Sequence, residues 1–214
     1  MSMSERQPRP STHTDALPGP AVIAVAFVCG SVPFSNIAAR LVKGVDLRDV
    51  GTGTVSGTSL HEVAGLGPLA VAGVLEVAKG SVGPLLAGRQ RPALAAVAGG
   101  AAVAGHDWSP FLRGAGGRGI SPATGVLLVS APTGAAVLLG GLVAGRLAHQ
   151  TALGSLAADL ALVPVARWVH GRRGAMAAAY VVGVMVAKRL AGNAPVPRDA
   201  PWKTLRNRLL FDRD

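Results

Sequence analysis

The chain has little of what most soluble and secreted proteins are built from. Aromatic residues make up 4% of its 214 positions, and tyrosine occurs once. An all-β or lectin-like domain, which depends on aromatic cross-strand pairs, therefore has little to build on. Cysteine also occurs once, as Cys29 inside an apolar run. There is thus no disulfide framework, and no redox compartment to read. Clustered metal ligands are missing too, since His13, His61, His106, His149 and His170 are scattered, and we expect no metal and no cofactor. Charged residues are few, 15% of the chain against about 25% in an ordinary soluble domain. Acid is the scarcer sign: 11 Asp and Glu face 21 Lys and Arg, for a net charge of +10. So basic a chain suggests nucleic acid, but the polar, aromatic-studded surface that partner needs is absent.

What is present is apolar. Half the residues are hydrophobic and 29 are glycine, most of them inside apolar runs. Membrane helices tolerate glycine because neighbouring helices approach it closely. Residues 1 to 19 are polar and proline-rich without helical period and read as a disordered tail. The block after them is too long for a signal-peptide core and lacks a small-residue cleavage site, which points to a retained helix.

Six apolar blocks follow, near residues 21–42, 66–87, 93–105, 123–144, 153–169 and 175–187. A straight span needs about 20 residues, so the third and sixth fall short. The expected fold is all-α, a polytopic membrane helix bundle of about five to seven short transmembrane helices. It occupies residues 20–192, and a basic amphipathic tail covers 193–214. In that tail Trp202, Leu205, Leu209 and Leu210 fall near one helical face, the pattern of a helix lying at a membrane surface. The basic residues Arg40, Lys43, Arg48, Arg113, Arg118, Arg167, Arg172 and Arg173, with the C-terminal tail, favour the cytoplasmic side. Placing all of them there needs an odd number of crossings. Gly141 and Gly145 form one small-xxx-small pattern, which a chain this rich in glycine produces by chance.

Three stretches are unlike ordinary connectors. The first joins Gly30–Phe34 to Val45–Ser59. It gathers Ser31, Ser35, Arg48, Thr52, Thr54, Ser56, Thr58 and Ser59 around Gly51, Gly53 and Gly57. Glycine amides, hydroxyls and an arginine make an anion cradle. The second, Val74–Pro84, sets Glu76 and Lys79 three apart on an apolar helix, where isolated charges are costly and should pair. The third, Ala104–Gly125, opens on His106 and Asp107 and carries Arg113 and Arg118 beside a glycine run. A glycine-rich turn with arginines at a helix start is a phosphate site. Its GxGxxG spacing (Gly114, Gly116, Gly119) does not signal a dinucleotide fold, because no strand–helix alternation surrounds it. A GxSxG nucleophile elbow and an HxxxxD pair are both absent.

These stretches, in this order, resemble the motifs of the acyl-phosphate-dependent glycerol-3-phosphate acyltransferases. GSVPFSNIAARLVKGVDLRDVGTGTVSGTS is similar to the family's GSIPFGYLIAK…GIDLR..GSGNIGATN, LEVAKGSVGP to LDxxKGxxP, and GHDWSPFLRGAGGRGISPATG to GHxFPxFLxFKGGKGVAT. Glu76 stands for the usual aspartate, Thr54 and Ser59 for two asparagines, Ala115 and Arg118 for two lysines. The family's C-terminal HxxNxxRLxxGxE survives as Arg189, Leu190 and Gly192, with Gly183 and Val186 at the histidine and asparagine positions. The resemblance implies transfer of a fatty acyl group from acyl phosphate to glycerol 3-phosphate in a bacterial cytoplasmic membrane, with cytoplasmic site loops and no metal. It implies Ser31, Arg48 and His106 as catalytic. Gly51, Thr52, Gly53, Thr54, Thr58, Ser59, Lys79, Gly116, Gly117, Arg118 and Gly119 would bind substrate, with membrane lipids as the other partners. The alternative is an inactive relative that binds phosphorylated lipids or regulates a true acyltransferase.

Overall fold

A computed structural model describes residues 17–51, 53–192 and 194–211. Thr52, the first sixteen residues of the expected disordered tail, and the last three residues of the C-terminal tail lie outside the described residues. All regular structure among those described is helical: α1 (Gly19–Ser31), α2 (Phe34–Lys43), α3 (Gly57–Ala64), α4 (Leu66–Ala87), α5 (Pro92–Asp107), α6 (Ile120–Ser130), α7 (Pro132–Leu147), α8 (Thr151–Ala191) and α9 (Pro201–Phe211), with 3-10 turns at Leu47–Asp49 and Pro110–Leu112.

Proline and glycine set the breaks. Pro33 separates α1 from α2, which together form one apolar rod of 25 residues. Pro132 opens α7 directly after Ala131, whose backbone leaves the helical region. The chain turns back there, since Ile120 and Ser121 at the start of α6 line the same cavity as Leu142 and Arg146 at the end of α7. The fourth apolar block is therefore a hairpin of two short rods. Gly171, at φ 66 and ψ −154, divides α8 into limbs 151–170 and 172–191. The limbs are antiparallel, because an Arg189 nitrogen donates to the Ala152 carbonyl at 3.2 Å. The His170 ring, at the turn, meets the Thr133 hydroxyl at 2.8 Å. The bundle thus has seven rods: α1–α2, α4, α5, α6, α7 and the two limbs. An odd count puts Gly19 and Ala191 at opposite ends of the bundle. At 11 residues, α6 is only about 16 Å long, short of the ~30 Å hydrocarbon core.

The distribution of side chains is that of a protein whose solvent is lipid. Large apolar residues face out, among them Leu41, Val74, Leu160 and Trp168, while alanine dominates the buried positions. Small residues let the backbones touch. A Cβ on Gly80 would stand 2.0 Å from the Pro122 carbonyl oxygen, and one on Gly125 1.9 Å from that of Val77, which fixes α4 against α6. Gly141 and Gly145 are not a chance pattern: Gly141 packs on Gly154 and Ala158, and Gly145 on Gly154, at distances that exclude a side chain. An apolar cluster of Leu47, Val55, Leu60 and Leu112 anchors the loops 44–56 and 108–119 to one end of the bundle.

Candidate active site

The charged groups of α4 are buried and paired. Glu76 and Lys79 are 2% and 4% exposed, and their Oε2 and Nζ lie 2.6 Å apart. The Glu76 Oε1 accepts from the Ser35 amide at 3.1 Å and the Ser35 hydroxyl at 3.2 Å. Lys79 donates to the Val32 carbonyl at 2.7 Å. His106, at the end of α5, brings Nδ1 within 3.1 Å of both the Glu76 carboxylate and the Lys79 ammonium. Each charge is thus met on several sides, as buried ions require. Ser31 is fully buried beside this triad, with its hydroxyl given to the Phe27 carbonyl at 2.7 Å and Gly105 packed against it.

The second polar layer comes from the glycine loop. Gly117 runs under His106, where a Cβ would stand 2.2 Å from Nε2. Gly119 adopts φ 75 and starts α6, and a Cβ there would meet Val103, Met185 and an Asp107 carboxylate oxygen. No residue but glycine fits either position. The loop is stitched to its neighbours by the Val55 amide on the Gly116 carbonyl at 3.1 Å and the Gly117 amide on the His106 carbonyl at 3.3 Å. Asp107 is fully buried, within reach of the fields of Lys188, Arg118 and Lys79. Lys188 itself lies over the Trp108 ring at 5.3 Å.

Arg48 occupies a different place. It donates to Asp46 through Nε at 3.1 Å and through a terminal nitrogen at 2.7 Å, and reaches the Leu112 carbonyl at 3.5 Å. Arg40 completes the cluster from α2. Hydrogen bonds from Arg48 hold the Asp46 carboxyl well below its ordinary value, burial opposes this, and Arg40 adds to it. Asp46 in turn raises the Arg48 guanidinium.

Glu76, His106 and the end of the glycine loop border a cavity of about 770 Å³. Of the residues expected from sequence, Gly51, Thr54, Thr58, Ser59, His106, Arg118 and Gly119 line it. Lys79 lies behind its wall, held by Glu76 and His106. Ser31, Gly116 and Gly117 pack around His106 rather than facing the cavity, Gly53 shapes the adjoining turn, and Arg48 clamps the loop from outside. The far wall was not anticipated from the sequence. It holds Arg146, Thr151, Ser155, Asp159 and Arg189. Asp159 had a signal, as the one acid inside the fifth apolar block.

Fold and site together define an integral membrane protein of the helical class, with a polar cavity at one end of its bundle. The glycerol-3-phosphate acyltransferase family profile matches residues 20–195, and the chain belongs to that family. It is 32% identical over 205 residues to glycerol-3-phosphate acyltransferase 5 of Dehalococcoides mccartyi, covering 90% of this chain and 88% of that one. It is 35% identical over 155 residues to the glycerol-3-phosphate acyltransferase of Chlorobaculum tepidum, covering 66% and 67%. The fold matches a crystal structure of an integral membrane glycerol 3-phosphate acyltransferase in its glycerol 3-phosphate form, with a TM-score of 0.73, 25% identity and coverage of 92% and 94%.

Proposed function

We propose that the protein transfers a fatty acyl group from acyl phosphate to glycerol 3-phosphate within this cavity. The observation that carries the reading is the convergence of two helix starts on one space. Ser56 caps α3 and Gly57, Thr58 and Ser59 line the cavity; Gly119 precedes α6 and Ile120 and Ser121 line it opposite. First-turn amides lack helical acceptors and carry the positive end of the dipole, so each start suits a phosphate. Arg118 adds a fixed charge between them, and Thr54, Thr58 and Ser59 add hydroxyls. Two anionic substrates in one cavity is what this reaction requires.

In the reaction, an acceptor hydroxyl oxygen attacks the acyl carbonyl carbon, forming the ester. The carbon–oxygen bond to phosphate breaks, phosphate leaves with the electron pair, and the hydroxyl proton is released. Holding both anions in attack geometry supplies much of the acceleration, and donors aimed at the developing oxyanion supply more. The residues contribute positioning and electrostatics. His106 is oriented by Glu76 and Lys79, and Arg48 fixes the loop that presents Gly51 and Thr54. We assign the chain to a bacterial cytoplasmic membrane, its site loops on the cytoplasmic side. Arg40, Lys43, Arg48, Arg113, Arg118 and the cations of 188–208 share that end and outnumber Arg89 and Arg91 at the other, where the turn at Gly171 also places Arg167, Arg172 and Arg173 against expectation. The test is incorporation of labelled glycerol 3-phosphate by the purified protein, offered acyl phosphate and then acyl-CoA. Product with acyl phosphate alone supports the reading; product with acyl-CoA alone, or with neither, contradicts it.

A further inference from the structure

The far wall of the cavity contains a group that neither the phosphate cradle nor the buried triad uses. Asp159, on the first limb of α8, is 3% exposed and lines the cavity, and its Oδ1 accepts no hydrogen bond among the described residues. The neighbouring cation does not meet that need. Arg189 directs its two terminal nitrogens to the Ala152 and Leu209 carbonyls, each at 3.2 Å, and to the Ser155 hydroxyl. Ser155 passes its own proton to the Ala152 carbonyl at 3.1 Å. What remains is a buried carboxylate in the cavity wall with an oxygen that no donor among the described residues meets. Leaving such a group unmet costs about 1–3 kcal/mol or more, and the cavity wall is where a ligand donor would meet it.

The ligand chemistry follows from the surroundings. A second anion is repelled by a carboxylate, so the phosphate belongs at the helix starts and Arg118. An uncharged donor fits Asp159, and on a polyol phosphate that donor is a hydroxyl. We propose that Asp159 is a specificity-determining residue that accepts a hydrogen bond from the middle hydroxyl of the polyol phosphate bound in the cavity, the hydroxyl that acyl transfer leaves free. This rests on the proposed acyl transfer to glycerol 3-phosphate, and it assigns to Asp159 recognition of the acceptor's glycerol portion. A site built to bind a hydroxyl rejects the analogue lacking it, because its own polar group is then stranded.

The experiment compares equilibrium binding of glycerol 3-phosphate with that of 3-hydroxypropyl phosphate, the same skeleton without the middle hydroxyl. It uses the full chain in detergent and its Asp159→Ala and Asp159→Asn variants. The wild type is expected to prefer glycerol 3-phosphate by about 10- to 100-fold, the range for a hydrogen bond to a charged group. Asp159→Ala should bring the two ligands within about threefold of each other. The isosteric Asp159→Asn, which keeps an acceptor oxygen, should retain an intermediate preference. Wild-type protein that binds both ligands equally overturns the inference and leaves the acyltransferase reading standing. So does a preference unchanged in either variant, for then Asp159 only joins the limbs. Wild-type protein that binds neither ligand overturns the reading and this inference with it.

Discussion

Glu76 accepts from Ser35 on α2 while bonding Lys79 on its own helix and His106 on α5, so one carboxylate ties three elements together. Removing one partner of a buried ion pair costs about 3–5 kcal/mol. At roughly 2–4 °C per kcal/mol for a chain of this size, Glu76→Ala should lower the midpoint of thermal unfolding in detergent by roughly 10 °C and abolish transfer. An unchanged midpoint would show that the triad contributes no stability. Asp46 makes a prediction with a defined sign. Its folded value lies below its unfolded one because of Arg48, so its contribution is fully present above the unfolded value. That contribution is lost as pH falls through the depressed folded value. Loop 44–56 should therefore keep its protection from proteolysis at pH 4, and Asp46→Asn, which has no carboxylate at any pH, should be cut faster than the wild type at pH 4 and pH 7 alike. The sequence placed Glu76 and Lys79 as a pair because charges on an apolar helix must pair. It could not place Arg48, whose partner is set by a turn at Leu47–Asp49 rather than by any periodicity.

The elements were legible where apolar period and length agreed, as in α4, whose bounds match the second block. They were misread where a break fell inside an unbroken apolar run. In 123–144 only a brief dip at Ser130–Gly134 and the proline itself mark the reversal at Ala131–Pro132, because lipid-facing rods need no polar turn. The two limbs of α8, by contrast, separate at Gly171, inside the gap that the sequence leaves between its fifth and sixth blocks. Close approach explains which glycines matter. Gly80→Ala should strongly reduce the monodisperse folded fraction on size-exclusion chromatography, since its Cβ would strike the Pro122 backbone. Gly73→Ala, on the same helix with nothing within 4 Å, should be neutral or stabilising by up to about 1 kcal/mol. Equal behaviour of the two would contradict the α4–α6 contact.

At the scale of the molecule, seven rods set loops 44–56 and 108–119 at the same end as the C-terminal helix, and the α4–α5 connection at the other. In a Cys29→Ser background, impermeant reagent should label Asp49→Cys and Ala115→Cys from one side of sealed vesicles and Gln90→Cys from the other. The helix α9 belongs to the site end. Arg208 donates to the Ala191 and Ala194 carbonyls at 2.6 and 2.7 Å, closing the end of α8, and Phe211 reaches the cavity wall. The proposed coupling of both phosphorylated substrates in one cavity fixes the stoichiometry of the reaction. Its most direct test is release of inorganic phosphate from acyl phosphate by the reconstituted protein, with and without glycerol 3-phosphate. Release is expected to require the acceptor, match lysophosphatidate one for one, and fall about 10²-fold or more in a folded Arg118→Ala variant. Release that ignores the acceptor, or that Arg118→Ala leaves unchanged, would contradict it.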